Sequence, residues 1–135
     1  MLLRRIGFSN YAIVYSNKST SSSTGFFHVL VAPIDTTDIK SVRVAIDVYA
    51  PGLVTIKIAF QTSDDGLTWP ASTAVPPQFA LAAVTAEGLS YATTFEDISS
   101  SLQKKWVRFG VWVYNSSGGA VEFATVAIRV ETRAT

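Results

Sequence analysis

The sequence has no cysteine. That one absence excludes a disulfide framework, a thiolate zinc site and a cysteine nucleophile together. Histidine is almost as scarce, His28 being the only one. Any metal site would therefore rest on carboxylates, and a Ser-His-Asp relay has one imidazole to draw on. Charge is thin as well: 16% of residues carry one, netting +1. Lysine and arginine come in ones and twos, with no basic stripe to neutralise phosphates, so nucleic acid is not the expected partner. Arg4-Arg5 has no apolar run behind it, and no stretch reads as a signal peptide or a membrane-spanning helix. The expectation is a chain made in the cytoplasm that leaves, if at all, by lysis or within an assembly such as a virion, with no membrane partner.

What is present is apolar. Of 135 residues, 48% are hydrophobic and 12% aromatic, enough for one domain with a sizeable core. Two alternations set the fold class. In Ser41 to Ala50, Val42, Val44, Ile46 and Val48 share a face opposite Arg43, Asp47 and Tyr49. In Leu53 to Gln61, Val54, Ile56, Ile58 and Phe60 share a face opposite Thr55, Lys57 and Gln61. Period two with β-branched residues marks strands buried on one side. A two-residue turn at Pro51-Gly52 would set Val48 against Thr55, core against surface. An odd loop, a β-bulge, or placement of the strands in different sheets resolves that conflict.

Further strands are predicted at Tyr11–Tyr15, at Phe26–Ala32 with Pro33 as its stop, at Leu89–Phe95, at Lys105–Tyr114 and at Val121–Thr132. Gln78 to Glu87 reads as strand, although its alanines favour helix. Asp97 is placed to cap a short helical turn through Leu102. With no long helix and turn signals throughout, the chain reads as an all-β antiparallel sandwich of about eight strands, jelly-roll type. Residues 1–25 read as an N-terminal arm or short strand ending in a Ser-rich hinge, because Ser16 to Gly25 has no apolar area to offset its ordering. The sandwich domain is 26–135.

One face is unexpected. Val107, Phe109, Val111 and Val113 point inward, which leaves Trp106, Arg108, Gly110, Trp112 and Tyr114 on the opposite stripe. If this strand pairs with Val121–Thr132 as a hairpin, Trp112 meets Phe123 and Trp106 meets Arg129. An aromatic pair and a cation–π contact of about 0.5–1 kcal/mol each do not justify two exposed tryptophans. Three covers are open: another segment of this chain (residues 11–15 or 70–88), a protein partner, or the apolar face of a sugar ring. The predicted interface or ligand face is Trp106, Arg108, Trp112, Tyr114, Phe123 and Arg129.

Other chemistry is thin. His28 alternates with core residues and reads as structural. Asp64-Asp65 and Glu96-Asp97 read as turn or cap residues and lack calcium-loop spacing. Gly118-Gly119 sits in a hairpin rather than a phosphate loop. No catalytic, cofactor-binding or metal site is predicted.

Two segments carry a resemblance. Ser63-Asp64-Asp65-Gly66-Leu67-Thr68-Trp69 resembles the Ser-x-Asp-Gly-x-Thr-Trp hairpin of galactose-binding-like jelly rolls and of small structural proteins of tailed bacteriophages. Lys105-Trp106-Val107-Arg108-Phe109-Gly110-Val111 is similar to the aromatic-Val-Arg-aromatic strand of the same modules. The resemblance implies a self-associating β-sandwich that attaches to a shell, as head-decoration proteins do, often through a terminal arm. The resulting expectation is a non-enzymatic structural protein of a virion, its partners further copies of itself or a capsid or tail protein. The alternative is a carbohydrate-binding sandwich that stacks polysaccharide on Trp112, Trp106 and Tyr114.

Overall fold

The computed structural model describes residues 3–8, 12–16, 24–37, 39, 41–50, 54–79, 84–85, 88–97, 102–114 and 123–133. They form two antiparallel sheets. The first holds β1 (Leu3–Phe8), β2 (Ala12–Tyr15), β4 (Ser41–Ala50), β7 (Gly88–Asp97) and β9 (Phe123–Arg133). Its order is β1-β9-β4-β7, with β2 following β1 along the same edge of β9. The second holds β3 (Phe26–Asp35), β5 (Thr55–Ser63), β6 (Val84–Thr85) and β8 (Trp106–Tyr114), in the order β3-β8-β5-β6.

The predicted inward stripes close on one another. Val42, Val44, Ile46 and Val48 of β4, with Ala124, Val126, Ile128 and Val130 of β9, are buried against Ile56, Ile58 and Phe60 of β5 and the Val107–Val113 stripe of β8. Each such side chain contributes about 1.5–3 kcal/mol by leaving water. Phe79 closes the layer, its ring 5.7 Å from Phe60 and 6.4 Å from Phe109.

The turn conflict resolves by the third route. β4 pairs with β7 and β9 while β5 pairs with β6 and β8, so Pro51-Gly52 lies between strands of different sheets and the parity rule lapses. The same crossing overturns the predicted hairpin of the last two strands. β8 pairs with β3 and β5, and β9 with β4, β1 and β2, so Trp112 does not meet Phe123, nor Trp106 Arg129. Sequence neighbours in a sandwich serve opposite sheets whenever their connection passes from one sheet to the other.

Two smaller expectations also change. Pro33 does not stop its strand: β3 runs on to Asp35, with register shifts on either side of Val31. A sheet edge tolerates proline because its N–H side has no ladder bond to lose. β5 is buried on both faces, Thr55, Ala59, Gln61 and Ser63 included. Of 78–87, Gln78 bridges Ala59 and Val84–Thr85 form β6, while the rest, like the helical turn predicted after Asp97, falls outside the described residues. Residues 3–8 and 12–15 of the predicted arm pair with this chain's own β9.

Candidate functional site

The predicted aromatic face divides between the two sheets. Trp106, Arg108 and Tyr114 are half-buried on the outer side of the second sheet, and Trp112 between them is fully buried. Phe123 and Arg129 stand on the first sheet, where Arg129 pairs with Glu131 at 3.4 Å. Trp112 is therefore no platform for a sugar or a partner.

The chain itself supplies the cover, through the motif that carried the resemblance. Asp65 organises the turn after β5. Its Oδ1 accepts from the Ser63 hydroxyl (2.9 Å) and from the amides of Leu67 and Thr68 (2.8 Å each), and its Oδ2 accepts from the Thr68 hydroxyl (3.0 Å). Those backbone and hydroxyl donors hold its carboxyl well below the usual carboxylate range. Gly66 takes the left-handed backbone that the turn needs (φ 74°), and its carbonyl accepts from the Trp69 indole.

This turn lays 64–78 back across the second sheet. Gly66 packs against the Trp106 ring, where a Cβ would come within 3.2 Å. The Arg108 guanidinium lies 4.4 Å over the Trp69 ring and donates twice to Gln61 Oε1. Gln61 in turn donates to the Pro70 carbonyl, and the Phe27 amide donates to that of Ser72. Trp112 packs with Phe27 and Ala59, and Gly25 presses so closely on its indole that a Cβ there would lie 2.8 Å from Cε2.

The exposed apolar face is on the first sheet. Ile13 is 73% exposed, Tyr49 53%, Phe123 52% and Tyr15 40%. Their positions are contiguous. Ile13, Thr125 and Tyr49 form one register row across β2, β9 and β4, and Tyr15 pairs with Phe123 in the next row, their rings 6.3 Å apart. Across β9 the flanking positions are about 10 Å apart, so the four side chains make one patch rather than scattered singles. Further along β9 the face turns polar at Arg129 and Glu131. Sequence parity had put Tyr49 outward among Arg43 and Asp47, and a tyrosine in that company was the available signal. Ile13 and Tyr15 were missed because the N-terminal segment was not expected to lie alongside β9.

His28 sits where the sheets meet. Its Nε2 is 2.9 Å from the Tyr15 carbonyl and 3.2 Å from the Tyr15 amide, joining β3 to β2, and the Tyr15 and Phe26 rings flank it at 4.6 and 5.1 Å. Burial pushes its pKa down, against the opposing pull of the Tyr15 carbonyl. The histidine is structural in placement, as its alternation with core residues suggested. Among the described residues no cluster of histidine and carboxylate groups forms a metal cage, and no helix is long and apolar enough to cross a membrane.

No protein-family model matches the chain, and no curated protein matches it by sequence. Solved structures do match in fold. A chain of infectious bursal disease virus, Gt strain, superimposes with a TM-score of 0.58 at 12% identity over 97% of this chain, and the Gx strain with 0.54 at 13% over 98%. This chain spans only about a third of those viral chains, 32% and 31% respectively. A carbohydrate-binding module described as "CBM4 structure and function" matches with a TM-score of 0.50 at 12% identity, over 94% of this chain and 77% of the module. At such identities the likeness is one of fold: the chain is an all-β, jelly-roll-type sandwich of a kind found in viral capsids and in carbohydrate-binding modules.

Proposed function

We propose that this chain is a non-enzymatic assembly protein, a phage-like virion accessory or capsid decoration protein that works through protein–protein contacts. The observation that carries this reading is the Ile13/Tyr15/Tyr49/Phe123 patch on the first sheet. Covering such side chains is worth about 1.5–3 kcal/mol each when burial is complete, and aromatic anchors of this kind concentrate binding energy at protein interfaces. The patch replaces the Trp106/Trp112 stripe as the interface, with Phe123 the member common to both. A chain of infectious bursal disease virus shares this sandwich over about a third of its length, which supports the assembly reading.

A second reading rests on the same patch. Tyr15, Tyr49 and Phe123 present ring surface on an open sheet face, which suits stacking on a pyranose in a polysaccharide. Light scattering and affinity electrophoresis separate the two. The assembly reading expects mass to rise with concentration and to fall in a Tyr49→Lys/Phe123→Lys variant with an unchanged circular-dichroism spectrum. A monomer at every concentration whose migration is retarded by a polysaccharide, and released by Tyr49→Ala, would replace it with the sugar reading.

A further inference from the structure

Among the described residues the two sheets end in four edges, and three of them are blunted. The β1/β2 edge is split into strands of 6 and 4 residues, with a register shift between Arg5 and Gly7. The β3 edge carries Pro33 and two register shifts. β6 is 2 residues long. Short strands, bulges, prolines and basic residues are the devices by which sheet edges avoid pairing with other chains. β7 has none of them. Its 10 residues pair with β4 from Gly88 to Asp97 without a register shift, and its sequence, Gly-Leu-Ser-Tyr-Ala-Thr-Thr-Phe-Glu-Asp, has no proline, lysine or arginine. Among the described residues no strand pairs with its other edge.

We infer that the free edge of β7 pairs antiparallel with the β7 of a second copy, joining the first sheets of two chains into one continuous sheet. Charge selects the orientation. The only residues of the strand charged at neutral pH, Glu96 and Asp97, stand together at one end. A parallel pair would set each beside its own copy, about 5 Å away, whereas an antiparallel pair centred on the strand moves them to opposite ends, about 20 Å apart for Glu96 and about 27 Å for Asp97. Same-face pairing across a two-fold axis requires a residue to oppose itself. Centring on Thr93 sets Tyr91 opposite Phe95 of the second copy and Asp97 opposite its Leu89. Aromatic and Thr–Thr cross-strand pairs stabilise a sheet, and no like charges oppose. The inference gives the assembly reading a homotypic contact and rests on it in that respect.

The absence of cysteine makes the test clean, because an introduced thiol has no competitor. Opposed Cα atoms about 4.5–5.5 Å apart fall within disulfide range. Under mild oxidation Thr93→Cys is expected to run mainly as a disulfide-linked dimer on a non-reducing gel, and Leu89→Cys as monomer. Light scattering should give the wild type at least a dimer mass, and that mass should fall in Tyr91→Lys. Cross-linking through Ala92→Cys in place of Thr93→Cys would keep the edge contact and overturn the Thr93 register. An oligomer that resists cross-linking at both positions and dissociates in Tyr49→Lys would overturn the inference and leave the assembly reading standing. A monomer at every concentration would overturn the β7 contact outright.

Discussion

Arg108 of β8 stacks on Trp69 at 4.4 Å while its Nε and Nη2 donate to Gln61 Oε1 at 2.9 and 2.6 Å. Those contacts pin the 64–78 segment to the sheet, and Gln61, 2% exposed, has no water to fall back on. Arg108→Ala should therefore destabilise by about 1–3 kcal/mol, the cost of stranding a buried acceptor together with the lost stacking. Replacing both partners, Arg108→Met with Gln61→Met, should cost less than the sum of the single changes. Urea denaturation of the four proteins measures the coupling, and simple additivity would show that the pair does not act as a unit.

Gly110 has no room for a side chain. A Cβ there would run into the His28 carbonyl of β3, and one at Gly25 would lie 2.6 Å from the Val113 carbonyl. Both obstacles are backbone, which cannot step aside as a side-chain tip can. Gly110→Ala should be the worse of the two, at or beyond the upper end of the ~1–3 kcal/mol typical of overpacking, and Gly25→Ala should fall within that range. Melting temperatures rank them; two neutral alanines would mean that β3 shifts freely over β8.

The contrast between Tyr49 and Trp112 shows what could be read before folding. Alternation in β4, β5, β8 and β9 gave the inward stripes correctly, because period two is a local property of the chain. Which outward residues stay in water is decided by other segments. Trp112 looked exposed in its own strand and is covered by Gly25, Phe27 and Ala59, all distant in sequence. The Ser63–Trp69 motif was visible and its turn was expected, but its direction across the second sheet depends on Arg108 and Gln61 meeting it there. Sheet membership was likewise hidden for β8 and β9, since a polar connection of a given length can in general close a hairpin or pass from one sheet to the other.

Asp65 predicts a pH dependence. Its folded carboxyl is held below the ordinary 3.8 by donors that favour the charged form, so the unfolded chain takes up its proton first as pH falls. The turn's contribution is complete above about pH 4 and is lost on acidification through the folded value. Asp65→Asn keeps an acceptor for the Leu67 and Thr68 amides but not the charge. Its stability should fall less steeply than the wild type's below pH 4, where Asp35, held down by Thr37, still contributes a slope. Parallel acid-denaturation curves for the two proteins would exclude Asp65 as a source. Gly66→Ala should cost about 1–2 kcal/mol at any pH, because the left-handed backbone strains a residue with a Cβ.

His28 should respond in the same sense but in a higher window. Burial favours the neutral imidazole, so its folded pKa lies below the ordinary 6.5 and the folded chain binds fewer protons. The contribution is whole above pH 6.5 and declines as pH falls from there through the folded value. The geometry explains what is lost. Nε2 faces both the carbonyl and the amide of Tyr15, and an imidazolium can donate to the first but no longer accept from the second. It is also a charge held between the Tyr15 and Phe26 rings, at the junction that ties β2 to β3. Acidification should therefore loosen the N-terminal strands before the rest of the sandwich. NMR titration of the single histidine should return a value below 6.5, and amide exchange in β2, relative to its intrinsic rate, should quicken as pH drops below 6.5. His28→Gln, which can still bond Tyr15 and carries no titrating proton, should remove that acceleration. If the variant exchanges with the same pH profile, the junction is set by the aromatic packing of Tyr15, Phe26 and Phe123 instead.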